Sequence, residues 1–155
     1  MTRTVQRPRR RSRISRPAIV EQRGQRWEDL LAVAGRLFAE DGVAQVSVER
    51  ILLAAGLSRG TFYSFCRSKT DLLVALLEPV FREGVPVLQS LAAGPATAVV
   101  PGIVDLYEDL WARRRHALML IPAIDRAAFA RLRAAHDEYT TAMRSALARA
   151  EAGGL

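Results

Sequence analysis

A single cysteine, Cys66, in 155 residues excludes an intramolecular disulfide, a thiolate metal cage and a CxxC redox pair. That scarcity fits a reducing cytoplasm. The two histidines, His116 and His136, have no HExxH partner, and no Ser/His/Asp grouping or phosphate loop stands in a supporting context. The expectation is therefore a protein that is not an enzyme and needs neither metal nor cofactor. Strand-like alternation and internal repeats are also missing. Residues 84–104 carry no charge and are long enough to raise the question of a membrane span, but Gly84, Pro86, Gly94, Pro95, Pro101 and Gly102 interrupt them. They read as connectors between helices, with no membrane partner. No apolar core of signal-peptide length follows the leading arginines.

What is present leans helical. Half of the chain is hydrophobic, with Ala and Leu abundant, and a quarter is charged, enough for one or two small all-α cores. The net charge of +7 is unevenly placed: residues 1–26 hold nine arginines against one acid, Glu21, and the remainder is close to balanced. Arg3, Arg7, Arg9, Arg10, Arg11, Arg13 and Arg16, interleaved with Pro8 and Pro17, repel one another and share no apolar face. Residues 1–22 therefore read as a disordered basic arm suited to a polyanion. A solvated tail and an Arg-rich transit peptide are the alternatives.

From Arg23 onward, Trp27, Leu30, Leu31, Ala34, Leu37 and Phe38 recur at helical spacing, and Gly42 stops the run. Ser47 caps a short helix that buries Val48, Ile51, Leu52 and Ala55 and ends at Gly56. Ser58 caps another, with Phe62 and Phe65 inward and Arg59, Gly60, Thr61, Tyr63 and Ser64 outward. Ser68 opens a fourth helix with Asp71 as its capping-box partner, and Pro79 is expected to kink or end it. Beyond lie a helix near 103–115 and a last one on which Phe129, Leu132, His136, Tyr139, Met143, Ala146 and Ala150 form a seam.

A helix, a short helix, a glycine turn and a second short helix make the helix-turn-helix arrangement, whose later helix enters the DNA major groove. The charge pattern agrees. No acid falls between Glu49 and Asp71, whereas Arg50, Arg59, Arg67 and Lys69 do, so a phosphate backbone can approach without repulsion. Gly60 permits close backbone approach, and the hydroxyls of Ser58, Thr61 and Ser64 can bond phosphates or bases.

The stretch "GVAQVSVERILLAAGLSRGTFYSFCRSKTDLL" resembles the DNA-binding signature of TetR-type regulators. It carries a hydroxyl at Ser47, the Ala55–Ser58 turn, the basic-Gly-polar-apolar-Tyr run from Arg59, and Lys69 inside the fourth helix. The likeness spans residues 24 to about 77. It implies that Arg59, Thr61 and Ser64 face bases, and that Ser47, Tyr63 and Lys69 hold phosphates, Lys69 aided by its helix N-terminus. Cys66 departs from the aromatic residue usual there, and reads either as a small buried hydrophobe or as a redox sensor. The family also continues through two further helices, so the chain reads as shortened.

The resulting expectation is an all-α protein in three parts. The arm, 1–22, precedes a helix-turn-helix head, 23–69, and a helical ligand-binding and dimerising region, 70–155. It would act as a homodimeric, ligand-responsive repressor on palindromic double-stranded DNA, and the alternative is a DNA-binding module that lacks a sensor. Tyr107, Trp111, Met119 and Tyr139 are the candidate pocket for a lipophilic effector, although ordinary core packing explains them equally. Phe129, Leu132, His136, Met143 and Leu147 are the candidate dimer seam. His136 reads as a hydrogen-bonded core histidine or as a pocket or pH-responsive group.

Overall fold

The structure, a computed structural model, describes the backbone of residues 16–154 and the side chains of 20–154. Six α-helices run α1 (Arg16–Asp41), α2 (Val48–Ala55), α3 (Arg59–Phe65), α4 (Lys69–Ala93), α5 (Val99–Met119) and α6 (Arg126–Ala152), and no strand occurs among the described residues. Single 3-10 turns at Ala96–Ala98 and Ile121–Ala123 lead into α5 and follow it.

Local chemistry sets most boundaries. Gly42, with φ of +84°, follows α1, and Gly56, with φ of +62°, closes α2 and returns its amide to the carbonyls of Leu52 and Leu53. The left-handed backbone conformation at both positions suits glycine, which has no Cβ to clash. Ser47, Ser58 and Asp125 each accept an amide hydrogen from the first turn of the helix they cap. Ser68 and Asp71 complete a reciprocal capping box at the start of α4.

Three sequence expectations need correction. The first helix starts at Arg16, so residues 16–22 are helical where a disordered arm was expected. Pro17 sits in the first turn, where its missing amide hydrogen would have had no partner anyway. Residues 1–15, which carry most of the arm, lie outside the described residues. Second, Pro79 does not end α4, which continues through Pro79 and Pro86 to Ala93. Third, residues 84–93 and 99–104 are therefore helix and not connector. Each proline deprives one carbonyl of its partner, but packing along the whole helix outweighs that loss. Nine α4 residues from Leu72 to Leu88 are buried.

Two apolar clusters share α4. One joins Leu30, Ala34, Leu37 and Phe38 of α1, Ile51 and Leu52 of α2 and Phe62 of α3 to Leu72, Leu73, Leu77 and Phe81 of α4 and Leu132 of α6. The other joins Val80 and Leu88 of α4 to Leu106 and Leu110 of α5 and Ala142, Ala146 and Ala150 of α6. The core of the head thus extends well past Lys69. Ala128, Ala135, Ala142, Ala146 and Ala150 are all buried, and these small side chains let α6 lie close against α4.

The two helices approach closely at Gly84, where an added Cβ would stand 2.4 Å from Cε2 of Tyr139. Gly84→Ala is expected to lower unfolding stability by about 1–3 kcal/mol in urea titrations. In a Tyr139→Ala background the same change should stabilise by up to roughly 1 kcal/mol, the helix preference of Ala over Gly. A stabilising Gly84→Ala in the otherwise unaltered chain would show that the ring is not wedged there.

Candidate nucleic-acid interface

The geometry of the head follows from how α3 is anchored. Phe62 is completely buried beneath it, and Phe65, half-buried, packs on Trp27 of α1 with ring centroids 5.6 Å apart. Arg23 of α1 stacks over the Phe65 ring and donates to the Ser64 carbonyl at 3.0 Å. With that face turned inward, Arg59, Gly60, Tyr63 and Ser64 are left exposed and Thr61 is half-buried. Tyr63 keeps 53% of its surface in solvent while its ring meets Phe62 edge-on.

The serine and threonine side chains on this edge are already engaged. The Ser58 hydroxyl accepts the Thr61 amide at 3.1 Å and bonds the Thr61 hydroxyl at 2.9 Å, and the Ser64 hydroxyl donates to the Thr61 carbonyl at 2.7 Å. Ser47 accepts the Arg50 amide at 3.1 Å, while the Arg50 guanidinium pairs with Asp41 at 2.8 Å. Lys69, the only lysine in the chain, donates to the Val43 carbonyl at 2.8 Å and to that of Ala44 at 3.3 Å. It therefore ties the start of α4 to the α1–α2 loop. Arg59 extends to Glu49 of α2, 2.6 Å away. Sequence reasoning missed both Glu49, whose partner lies ten positions away on another helix, and Arg23, which sits beside the expected arm.

Behind the edge, Cys66 is buried and its thiol faces the Phe62 carbonyl at 3.9 Å. Burial, with the Asp71 carboxylate nearby, pushes the thiol up to about 11, which favours the small-hydrophobe reading over the sensor. The Asp71 carboxyl is held below its usual range, chiefly by the Arg67 amide and further by Arg131 of α6. Through that ion pair the start of α4 is linked to the body.

In the body, the four residues expected to line a pocket do not converge. Tyr139 donates to the Tyr107 hydroxyl at 3.0 Å, but Trp111 and Met119 are each more than half exposed on α5 and do not border the groove beside Tyr107. That groove, between α5 and α6, is lined by Phe81, Tyr107, Ile121, Phe129, His136 and Tyr139. His136 packs edge-on against Phe81 and Phe129, 5.6 and 5.3 Å between centroids. The expected seam also divides. Leu132 is buried in the molecule's own core, as are Ala146 and Ala150, whereas Phe129 and Leu147 are exposed and His136 and Met143 are half-buried.

Six helices among the described residues, the first three a tri-helical head with its third helix open to solvent, define a helix-turn-helix protein. Residues 30–76 match the family model described as "Bacterial regulatory proteins, tetR family". The HTH-type transcriptional regulator EthR of Mycobacterium tuberculosis is 39% identical over 67 residues, covering 43% of this chain and 31% of that protein. EthR of Mycolicibacterium smegmatis is 33% identical over 78 residues, covering 48% and 36%. The likeness to that family is thus one of the head, over residues 30–76. The match spans about a third of the length of these curated relatives. Among the described residues no helix is long and apolar enough to cross a membrane.

Thiol chemistry checks the packing under α3. At pH 8 the folded protein should react with iodoacetamide about a hundredfold more slowly than the urea-unfolded chain, because little thiolate forms. Comparable rates would mean that Cys66 is open to solvent.

Proposed function

We propose that this chain is a sequence-specific DNA-binding transcriptional regulator, working by binding and not by catalysis. The observation that carries the reading is the exposed leading edge of α3, held rigid by the Ser58 cap and by Phe62 beneath it. Two heads in a homodimer would occupy successive major grooves of a palindromic operator. The relatives are HTH-type transcriptional regulators, which supports the same reading, and the compartment would be the cytoplasm.

In the assigned roles, Arg59, Thr61 and Ser64 face bases, Gly60 allows close approach, Ser47, Tyr63 and Lys69 lie towards phosphates, and Ser58 can bond either. Arg59→Ala should relax base preference at one position per half-site, by about 1–3 kcal/mol of discrimination. Lys69→Ala should weaken binding to every duplex alike and lower the salt slope by about one. Fluorescence anisotropy on the preferred and on random duplexes distinguishes the two. Because Lys69 also ties the Val43 and Ala44 carbonyls, thermal midpoints are measured alongside. Equal losses on both duplexes for Arg59→Ala would sink the assignment.

A repressor released by a lipophilic effector is the fuller form of this proposal. The groove bordered by Phe81, Tyr107, Phe129 and Tyr139 supports it, its aromatic and isoleucine walls being joined by the Tyr107 and Tyr139 hydroxyls and by the charged Asp125 and Arg126. The outward position of Trp111 and Met119 favours the second reading, a DNA-binding module whose body only dimerises or docks a partner. A thermal-shift panel of lipophilic compounds separates them: a sensor gains several degrees at saturating ligand, and a bare module gains none with any compound.

A further inference from the structure

Arg59 does not stand freely in solvent. Its guanidinium Nη2 donates to Oε1 of Glu49 at 2.6 Å, across the turn between α2 and α3. Glu49 lies in the first turn of α2, and both side chains are more than half exposed. The serine and threonine hydroxyls here close on their own helix: Ser58 with Thr61, and Ser64 with the Thr61 carbonyl. Arg59 is the longest side chain on the edge, and its partner comes from a different helix.

We propose that Glu49 is a specificity-determining positioning residue, which holds the Arg59 guanidinium in the orientation used to read a guanine. The inference rests on the DNA-binding reading above. An exposed ion pair adds little to stability, so its consequence lies elsewhere. A free arginine samples many rotamers, and binding must select one. The single bond to Glu49 restrains the side chain yet leaves four of its five N–H donors free, enough for the two-pronged contact with O6 and N7. The same carboxylate repels phosphates, which penalises complexes in which Arg59 has found no base.

The experiment compares the unaltered chain with Glu49→Gln, Arg59→Ala and the double variant. Each is titrated by anisotropy against the preferred duplex, a duplex altered at the Arg59 position and a random duplex, with circular dichroism confirming folding. Glu49→Gln is expected to cut discrimination at the Arg59 position by about five- to tenfold, within the range a two-pronged contact supplies. It should also tighten binding to random DNA severalfold. In the Arg59→Ala background, Glu49→Gln should leave base preference unchanged. NMR of the free protein gives a readout independent of DNA: rotation about the Arg59 Nε–Cζ bond should be slowed in the unaltered chain and fast in Glu49→Gln. Unchanged discrimination in Glu49→Gln, or equal tightening on all three duplexes, overturns the positioning role while leaving the DNA-binding reading intact. An unaltered chain without preference among duplexes overturns both.

Discussion

Everything at the reading edge depends on the burial of Phe62. A helix of seven residues has too few internal hydrogen bonds to persist alone in water. Full burial of a phenylalanine is worth roughly 2–3 kcal/mol, and the Ser58 cap adds about 1 kcal/mol. The aromatic anchor does more than hold α3 in place. Because Phe62 points into the cluster formed by α1, α2 and α4, the rotation of α3 about its own axis is set. The side chains of Arg59, Tyr63 and Ser64, and the bare backbone at Gly60, have then only the solvent side left.

The anchor is seated on α4, and α4 is shared with the body. Its first half closes the core of the head and its second half carries α5 and α6. Arg131 of α6 pairs with Asp71 at the start of α4, and Arg114 of α5 bonds Glu83 farther along, with its Nε 3.0 Å from each carboxylate oxygen. Arg114 is also where α5 leaves helical geometry, at φ of −136° and ψ of 26°. A displacement of α5 or α6 therefore has a rigid element along which to reach the reading head. Tight packing transmits such shifts more readily than a loop does.

The helix-turn-helix was legible because its determinants are local. Ser47, Gly56, Ser58 and the Ser68–Asp71 box act within one turn of their own position, and a short apolar periodicity suffices to place Ile51, Leu52 and Phe62 inward. Pro79 and Pro86 misled for the converse reason. A proline is read as a local breaker, but the contacts that carry α4 past it come from α1, α5 and α6. The expected seam was divided in the same way, since periodicity states that a helix has an apolar face without stating what covers it.

By itself, the sequence determined the helical class, the head and its capped turns, and, apart from the half-buried Thr61, the residues of α3 that face outward, since each follows from forces acting over a few residues. Tertiary structure alone decided that Arg59 meets Glu49, that Lys69 meets the α1–α2 loop, and that Tyr107 meets Tyr139 while Trp111 and Met119 point elsewhere. Those pairings join groups 10 to 32 positions apart. They depend on the angles at which helices cross, and those angles are fixed only when the entire core is packed.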